Sequence, residues 1–225
     1  METNTTTNAS GRCHQECFTL GHEGVTFSKM NSTSSTTPDI SKNFHYLDDH
    51  YVACCKPHGI PTHRTDEEKL GFVELMENKL KFQFSNENEK LFVVHRLDKD
   101  TSGLLVFARN KEAAAKMSLA FAAHKIKKEY LFVTDKKHPD TKQESFVIES
   151  HIEKKGPHFI SHAEKPNNSK TQFVQLKETK THTLWQALPH TGKPHQIRLP
   201  PQAAGIPVLG DLAHGGPPLV RLCSH

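Results

Sequence analysis

Apolar residues recur along the middle of the chain in two patterns, one with the period of a helix and one with the short runs of strands. From Phe72 to Leu80 they stand three or four positions apart, which predicts a helix with one buried face. The alanine-rich segment from Lys111 to His124 predicts a second helix. Asn110, directly before it, is a residue type favoured at the N-cap of a helix.

Short runs of β-branched and aromatic residues between turn-forming residues predict a series of strands. The predicted strands are Tyr51–Cys55, Leu91–Val94, Gly103–Ala108, Tyr130–Thr134, Phe146–Ile152, Thr171–Leu176 and Thr183–Leu188. Several connections between them are too short for the crossovers that parallel strands need. The chain is therefore expected to form an α+β domain with a mixed, mostly antiparallel sheet and flanking helices.

The first part of the chain differs from the rest. Residues 1–45 are rich in Thr, Ser and Asn and show no sustained period, so we predict a flexible, low-complexity tail before a folded domain at 46–225. Cys13, Cys17 and His22 could suggest a zinc knuckle. The gap between the cysteines and the lack of a fourth ligand at a usual spacing argue against it.

Composition narrows the class of protein. The 225 residues are 35% hydrophobic and 24% charged, which suits a soluble globular protein. No apolar run approaches the ~18 residues of a membrane span, and the N-terminus lacks the basic and apolar regions of a secretory signal. Five cysteines without a framework spacing suit a reducing compartment, so a cytoplasmic location is expected. The net charge of +4 is compatible with a polyanionic partner.

The polar segment 95–102, between two predicted strands, is the first candidate for chemistry. Arg96 stands two residues before Asp98, and a nearby cation favours the ionised form of a carboxylate. An ionised aspartate can act as a nucleophile or as a general base. The alternative is a surface ion pair in a turn, and the local sequence leaves both interpretations open.

Two later segments could contact a nucleic acid. Lys128 and Tyr130 stand at the start of a predicted strand, where a cation beside an aromatic ring suits a phosphate backbone and a stacked base. Residues 191–198 form a glycine turn before a predicted helix start, where backbone N–H groups and Arg198 could hold an anion. The simpler alternatives are solvated lysines beside a strand tyrosine, and an ordinary turn with a surface arginine.

Taken together and in this order, these segments resemble the RluA-type family of RNA pseudouridine synthases. The strongest match is His95-Arg96-Leu97-Asp98-x-x-Thr101-Ser102-Gly103-Leu104-Leu105, which agrees with the family's signature at every fixed position. The other matching motifs are Lys56-Pro57-x-Gly59, Lys128-x-Tyr130, Thr191-Gly192-x-x-His195-Gln196-Ile197-Arg198 and Gly205-x-Pro207-x-x-Gly210-Asp211. The resemblance runs from about Tyr46 to the C-terminus.

The resemblance implies an enzyme that isomerises uridine to pseudouridine in tRNA or rRNA without a metal or cofactor, in an active-site cleft across the sheet. Asp98 would be the nucleophile, and Arg198 would hold it ionised and aimed. Tyr130 would stack near the flipped base and help deprotonation, and Arg96 would help to fill the space that the base leaves. The residues expected to bind the substrate are His95, Arg96, Thr101, Lys128, His195 and Gln196.

The sequence departs from the family at three places. Pro200 and Pro201 follow Arg198 where the family continues a helix, so that helix must start later or be distorted. His214 stands where a tyrosine often follows the Gly-Asp pair. Residues 221–225 resemble the start of the family's closing segment. Either the protein is a shortened one, or its C-terminal portion is absent from this sequence.

These departures keep other functions open. The main alternative is a catalytically impaired RNA-binding protein or RNA chaperone on the same scaffold. A metal-dependent hydrolase is a third hypothesis, prompted by the 17 histidines, but no His-x-x-x-His pair with a neighbouring Glu supports it. The enzyme is expected to act as a monomer with RNA as its partner and without a membrane or a metal.

Overall fold

Two antiparallel sheets carry the described part of the chain. The structure, a computed structural model, describes residues 44–64, 70–135, 144–162 and 164–218. The strands are β1 Phe44–Leu47, β2 Tyr51–Lys56, β3 Phe92–Val93, β4 Gly103–Ala108, β5 Tyr130–Asp135, β6 Ser145–Lys155, β7 His158–His162, β8 Ser169–Glu178 and β9 His182–Pro189. The helices are α1 Phe72–Phe84, α2 Lys111–Ala122 and α3 Leu199–Ala203, and a 3-10 turn spans Leu212–His214.

The first sheet has four strands in the order β1-β2-β4-β3. Leu105 and Phe107 of β4 are fully buried against Phe72 and Met76 of α1, because the apolar face of that helix turns towards the sheet. The predicted cap of α2 is confirmed, since the Asn110 side chain accepts a hydrogen bond of 2.8 Å from an amide of the first turn.

The second sheet has five strands in the order β5-β9-β8-β6-β7. Its core contains Phe132, Phe173 and Trp185, and the Trp185 indole N–H donates to the Thr134 hydroxyl at 3.0 Å. Tyr130, the first residue of β5, packs against the cores of both sheets. The site therefore lies where the two sheets meet.

The α+β class with mostly antiparallel pairing is confirmed, and the predicted helices and strands occur close to their expected positions. Within the described ranges every strand pairing is antiparallel, and the strands form two sheets rather than one. The run Leu91–Val94 shortens to a two-residue strand. The edge strand His158–His162 was not predicted, because its mixture of His, Ser and apolar residues has no clear alternation.

Strand β1 begins two residues before the predicted boundary of the folded domain. Phe44 and His45, assigned to the tail by composition, begin β1 and pair with β2. Residues 1–43, with the candidate zinc ligands Cys13, Cys17 and His22, lie outside the described residues, as does the closing segment 221–225. Among the residues that are described, no helix is long and apolar enough to cross a membrane. The same residues contain no cluster of three or more side chains that could hold a metal ion.

Candidate active site

A cavity of about 440 Å³ opens between the two sheets. Its walls come from the loop between β3 and β4, the first residues of β5, the end of β9 with the turn that follows, and Phe159 of β7. Of the predicted site residues, those that line the cavity are Arg96, Asp98, Thr101, Lys128, Tyr130, His195, Gln196 and Arg198. The fold thus brings together segments that are about 100 residues apart in sequence.

The loop that carries Asp98 is bound through its main chain. The Thr62 hydroxyl donates to the Leu97 carbonyl at 2.8 Å and accepts from the Leu97 N–H at 3.1 Å. The Thr101 N–H donates to the Asp98 carbonyl at 3.1 Å and closes the turn. Gly103 then returns the chain to β4 with a φ of +143°, a conformation that residues with a Cβ rarely adopt. The backbone of Asp98 is therefore held on both sides.

A buried lysine completes this support. Lys56 is 1% exposed, and its ammonium donates to the carbonyls of Pro57, Ile60 and Lys99 at 2.9, 2.7 and 3.0 Å. Burial lowers the pKa of Lys56 to about 8, and the charges of Asp100 and Asp98 oppose that shift. Because it joins the Lys-Pro-x-Gly turn to the Asp98 loop, Lys56 supports the site from behind.

Arg198 connects two carboxylates. Its guanidinium donates to Asp98 at 3.0 Å and makes two further hydrogen bonds with Asp211, at 2.7 and 2.8 Å. The hydrogen bonds from Arg198 lower the pKa of Asp211 although burial opposes the shift, and in return they raise the pKa of Arg198. Side-chain exposures of 17% for Arg198 and 9% for Asp211 show that this bridge is largely withdrawn from water.

The two prolines after Arg198 do not prevent its guanidinium from reaching Asp98. Helix α3 begins at Leu199 with Arg198 as its N-cap, so Pro200 and Pro201 occupy the first turn, where no helical N–H is lost. The helix starts later and is short, as the prolines predict. Both proline rings are buried, and Arg198 still reaches Asp98.

Tyr130 is positioned by β5, whose first residue pairs with Ala187 of β9. Burial raises the pKa of Tyr130, and the negative charge of Asp98 adds to the shift. The phenol is therefore neutral at physiological pH. Its ring presents an aromatic wall to the cavity close to Asp98.

The remaining predicted residues have different surroundings. Arg96 is exposed at the cavity rim. Lys128 donates to the Thr191 carbonyl, and burial lowers its pKa. Gln196 is 4% exposed, and its carboxamide bonds to four protein groups, two as donor and two as acceptor. The amide of Gln196 thus ties the turn 191–198 to β8.

His95 faces away from the cavity. Its ring stacks on Phe121 of α2 with 4.8 Å between centroids, and its Nε2 accepts a hydrogen bond of 2.9 Å from the Val106 N–H. Burial lowers the pKa of His95 to about 4, with a contribution from the charge of Lys128. The structure therefore places His95 in the packing behind the Asp98 loop, outside the lining of the cavity.

Three residues near the site had no predicted role. Asp211 belongs to the Gly-Asp motif, and a carboxylate at a fixed place after an arginine could have indicated an ion pair. His214 is a departure from the family, and it contacts His195. Phe159 stands in the strand that was not predicted, and nothing in its local sequence points to the cavity.

One known protein family matches most of this chain. The family model described as RNA pseudouridylate synthase matches residues 50–202. The chain belongs to that family. The matched range includes Asp98, Tyr130 and Arg198, and the RluA-type resemblance of the motifs is thereby confirmed. As an RNA pseudouridine synthase, the protein is an isomerase that acts on RNA, and the non-catalytic alternative is not favoured.

Individual relatives extend the comparison. An uncharacterized RNA pseudouridine synthase of Haemophilus influenzae is 35% identical over 76% of this chain and 72% of its own length. A tRNA pseudouridine synthase C of Vibrio parahaemolyticus is 28% identical over 76% of this chain and 72% of its own. A ribosomal large subunit pseudouridine synthase C of Rickettsia bellii is 32% identical over 78% of this chain and 57% of its own.

The fold has counterparts among solved structures. Human RNA pseudouridylate synthase domain containing 4 superimposes with a TM-score of 0.65 at 23% identity, over 81% of this chain and 74% of its own. A second human protein, RNA pseudouridylate synthase domain containing 1, gives a TM-score of 0.62 at 22% identity, over 80% of this chain and 73% of its own. Both likenesses concern the fold.

Proposed function

We propose that the Asp98 carboxylate is the nucleophile that isomerises uridine to pseudouridine in a structured RNA. The observation that carries this assignment is the Arg198 bridge, which donates to Asp98 at 3.0 Å while Asp211 binds the rest of the guanidinium. A cation fixed in this way pairs with the carboxylate and directs one of its oxygens. The Asp98 side chain is 27% exposed, so it remains open to the cavity.

The reaction replaces the bond between the anomeric carbon of the ribose and nitrogen 1 of the base with a bond to carbon 5 of the same base. The bond between nitrogen 1 and the anomeric carbon breaks, and Asp98 takes the position that the base leaves. The base turns, carbon 5 bonds to the anomeric carbon, and Asp98 is released. Carbon 5 then loses its proton and nitrogen 1 gains one, so the atoms and charges balance. No redox change occurs, and no cofactor is proposed.

The cavity suits a base that has left its helix. Its volume of about 440 Å³ lies in the range of small-molecule sites, and a uridine must leave the stack before its glycosidic bond can be reached. In this arrangement Tyr130 packs against the flipped base. Arg96, exposed at the rim, is placed to occupy the space that the base leaves in the RNA.

We propose tRNA or rRNA as the substrate class, because relatives are named for one or the other. Thr101 and Lys128 on the cavity wall, and the exposed Lys125 and Lys127 before β5, would contact the substrate backbone. His195 and Gln196 line the opposite wall. The contribution of Gln196 to substrate binding would be indirect, because its side chain holds the turn 191–198 in place. The role predicted for His95 would be indirect, through the packing behind the Asp98 loop.

We also propose that the protein is a cytoplasmic monomer that needs no metal. The cysteine usage supports the location. Sizing at micromolar concentration in the presence and absence of RNA tests the oligomeric state. Turnover in excess chelator tests the metal, and a loss of activity restored by a divalent cation would contradict the proposal.

The decisive experiment is tritium release from RNA that carries uridine labelled at carbon 5. We expect release from transcripts of tRNA or large-subunit rRNA with the unaltered protein. Asp98→Asn should lower the rate by about 10⁴-fold or more, because an amide is a poor nucleophile, while RNA binding persists. Asp49→Asn, which changes an exposed carboxylate in the β1–β2 hairpin, is the matched control. An active Asp98→Asn variant would contradict the assignment.

A further inference from the structure

Phe159 is a cavity residue that the proposed reaction does not use. It is the second residue of β7, an edge strand of the second sheet, and its ring forms part of the cavity wall. Among the described residues, the two buried core clusters and the apolar side chains packed against them do not include it. Its ring lies beside His195 instead, with 5.1 Å between the centroids. The Phe159 ring is therefore part of the cavity wall rather than of either core.

Phe159 and Tyr130 reach the cavity from opposite edges of the second sheet. Tyr130 begins β5 and Phe159 belongs to β7, with β9, β8 and β6 between them. Neighbouring strands lie ~4.8 Å apart, so the two backbones are separated by the breadth of the sheet. A flipped uridine that packs against Tyr130 therefore leaves the Phe159 ring free for a second base.

His195 lies between Phe159 and the proposed nucleophile. Its Nε2 is 4.0 Å from the Asp98 carboxylate, and its ring contacts that of Phe159. A base on the Phe159 ring would thus be separated from Asp98 by the width of one imidazole. That separation suits the nucleotide next to the one that reacts.

A cation stands next to the Phe159 ring on the hairpin formed by β6 and β7. Lys154 of β6 pairs directly with Phe159. Directly opposite residues of antiparallel strands project from the same face, with ~4.5–5.5 Å between their Cβ atoms. Lys154 is exposed, so its ammonium can reach a phosphate. An aromatic ring beside an exposed cation suits a nucleotide, whose base stacks on the ring while its phosphate binds the cation.

The opposite face of the same hairpin has a different set of contacts. There the Glu153 carboxylate accepts hydrogen bonds from His162 at 2.9 Å and from Lys165 at 2.6 Å. The bond from His162 joins β7 to β6 and fixes the edge strand. The face that carries Phe159 and Lys154 is the one turned to the cavity, because the Phe159 ring lines it.

We propose that Phe159 and Lys154 form a second nucleotide subsite, in which the Phe159 ring stacks on the base next to the flipped uridine and Lys154 binds the phosphate of that nucleotide. The proposal rests on the proposed function. It adds a contact at the β7 edge of the sheet to the backbone contacts of Lys125 and Lys127 before β5. Neither Phe159 nor Lys154 belongs to a motif that relates the sequence to its family.

RNA binding tests the subsite without turnover. Fluorescence anisotropy with transcripts of tRNA and of large-subunit rRNA fragments gives the Kd for the RNA that binds most tightly. Phe159→Leu keeps an apolar side chain but loses the ring, and it should raise this Kd by about 5–10-fold. Phe159→Tyr keeps the ring and should bind like the unaltered protein. An unchanged Kd in a folded Phe159→Leu variant would overturn the proposal.

Two neighbouring lysines provide a matched pair of variants. Lys154→Gln should reduce the slope of log Kd against log salt concentration by about 0.7–1, because one phosphate contact is lost. Lys155 is also exposed, but it projects from the opposite face of the hairpin. Lys155→Gln should therefore leave the slope unchanged. Equal slopes in the two variants would remove Lys154 from the subsite.

Turnover locates the stacked base. In an RNA that the protein modifies, each neighbour of the target uridine is replaced in turn by an abasic nucleotide. At one of the two positions, kcat/KM should fall about as much as it does in Phe159→Leu. Combining the two changes should cost no more than either alone, because both remove the same stack. Additive losses at both positions would contradict the stacking assigned to Phe159.

These measurements separate the subsite from the proposed function. If the unaltered protein forms no pseudouridine while Phe159→Leu and Lys154→Gln weaken RNA binding, the proposed function fails and the RNA contact stands. If the protein is active and Phe159→Leu binds and converts RNA normally, the subsite alone fails. An unaltered protein that neither binds nor modifies these RNAs would overturn both.

Discussion

The two walls of the cavity are held in place by different means. On the Asp98 wall, Lys56 and Thr62 bind main-chain groups of the loop, so the position of the nucleophile depends on its backbone. On the Arg198 wall, the Gln196 side chain binds the turn 191–198 to β8, and the Asp211 carboxylate binds the Arg198 guanidinium. The Asp98 wall is therefore held by hydrogen bonds to its main chain, while the Arg198 wall is held mainly by hydrogen bonds of its side chains.

This difference suits the chemistry proposed for each wall. A nucleophile must approach one atom of the substrate closely, and small misplacements are costly for rate. A main-chain anchor restricts the backbone of Asp98 and leaves its carboxylate free to turn. The Arg198 wall instead supplies charge, and a guanidinium bound by three hydrogen bonds keeps its direction in a partly buried site.

The largest effect on the side-chain wall is expected from Arg198→Met. It removes the partner of Asp98 and leaves Asp211 as an unpaired, nearly buried carboxylate. We expect kcat to fall by about 10²–10³-fold, the usual cost of losing a fixed cation or donor at a reacting group. Tritium release under single turnover measures it. A fall in kcat of less than threefold would show that the orientation of the Asp98 carboxylate does not depend on Arg198.

The pairing predicts how a second change combines with the first. Asp211→Asn keeps the shape of the acceptor but loses its charge, so a decrease of about tenfold is expected. In the double variant Arg198→Met, Asp211→Asn, the two effects should not add, because both act through one bridge. Additive losses in the same assay would mean that Asp211 acts on turnover independently of Arg198.

Acid should weaken the packing behind the main-chain wall. His95 has a folded pKa of about 4 against an unfolded value of 6.5, so the unfolded chain binds the extra proton first. The contribution of neutral His95 to the free energy of unfolding is therefore fully present above pH ~6.5. It is lost as the pH falls towards 4, by about 2–4 kcal/mol in all. Urea unfolding at several pH values measures this loss. His95→Gln, which keeps an acceptor for the Val106 N–H, should flatten the slope over that window.

Lys56→Met tests the main-chain anchor itself. The variant is close in shape but leaves the carbonyls of Pro57, Ile60 and Lys99 without the ammonium. We expect the free energy of unfolding to fall by about 1–3 kcal/mol and kcat to fall with it. Lys125→Met, an exposed lysine, is the control for stability. Full activity and stability in Lys56→Met would show that Thr62 alone holds the loop.

The smallest effect is expected from Gln196→Met. This change removes the buried carboxamide that joins Thr191 and Lys193 to β8. Stability should fall by about 1–2 kcal/mol, since each partner loses one neutral hydrogen bond. The KM for RNA should rise more than kcat falls, because the turn forms part of the wall that faces the substrate. A purely kcat effect would instead place Gln196 in the alignment of Arg198.

The contrast also shows which parts were predictable from sequence. The α1 and α2 helices and most strands follow from periods and apolar runs within a few residues, and so does the Asn110 cap. Edge strand β7 did not follow, because its residues lack alternation. Pro200 and Pro201 led us to expect either a later start of the helix or a distorted one, and the structure has the later start, because proline fits the first turn.

The family, the order of its motifs and the candidates Asp98, Tyr130 and Arg198 could be predicted from the amino-acid sequence, because these features are local and keep a fixed spacing. Which neighbouring residues face the cavity depends on the tertiary fold. His95, three residues before Asp98, turns to α2, while Asp211 and His214 reach the site from more than 100 residues away. Strand direction and side-chain packing determine these contacts, and the spacing of a motif predicts neither.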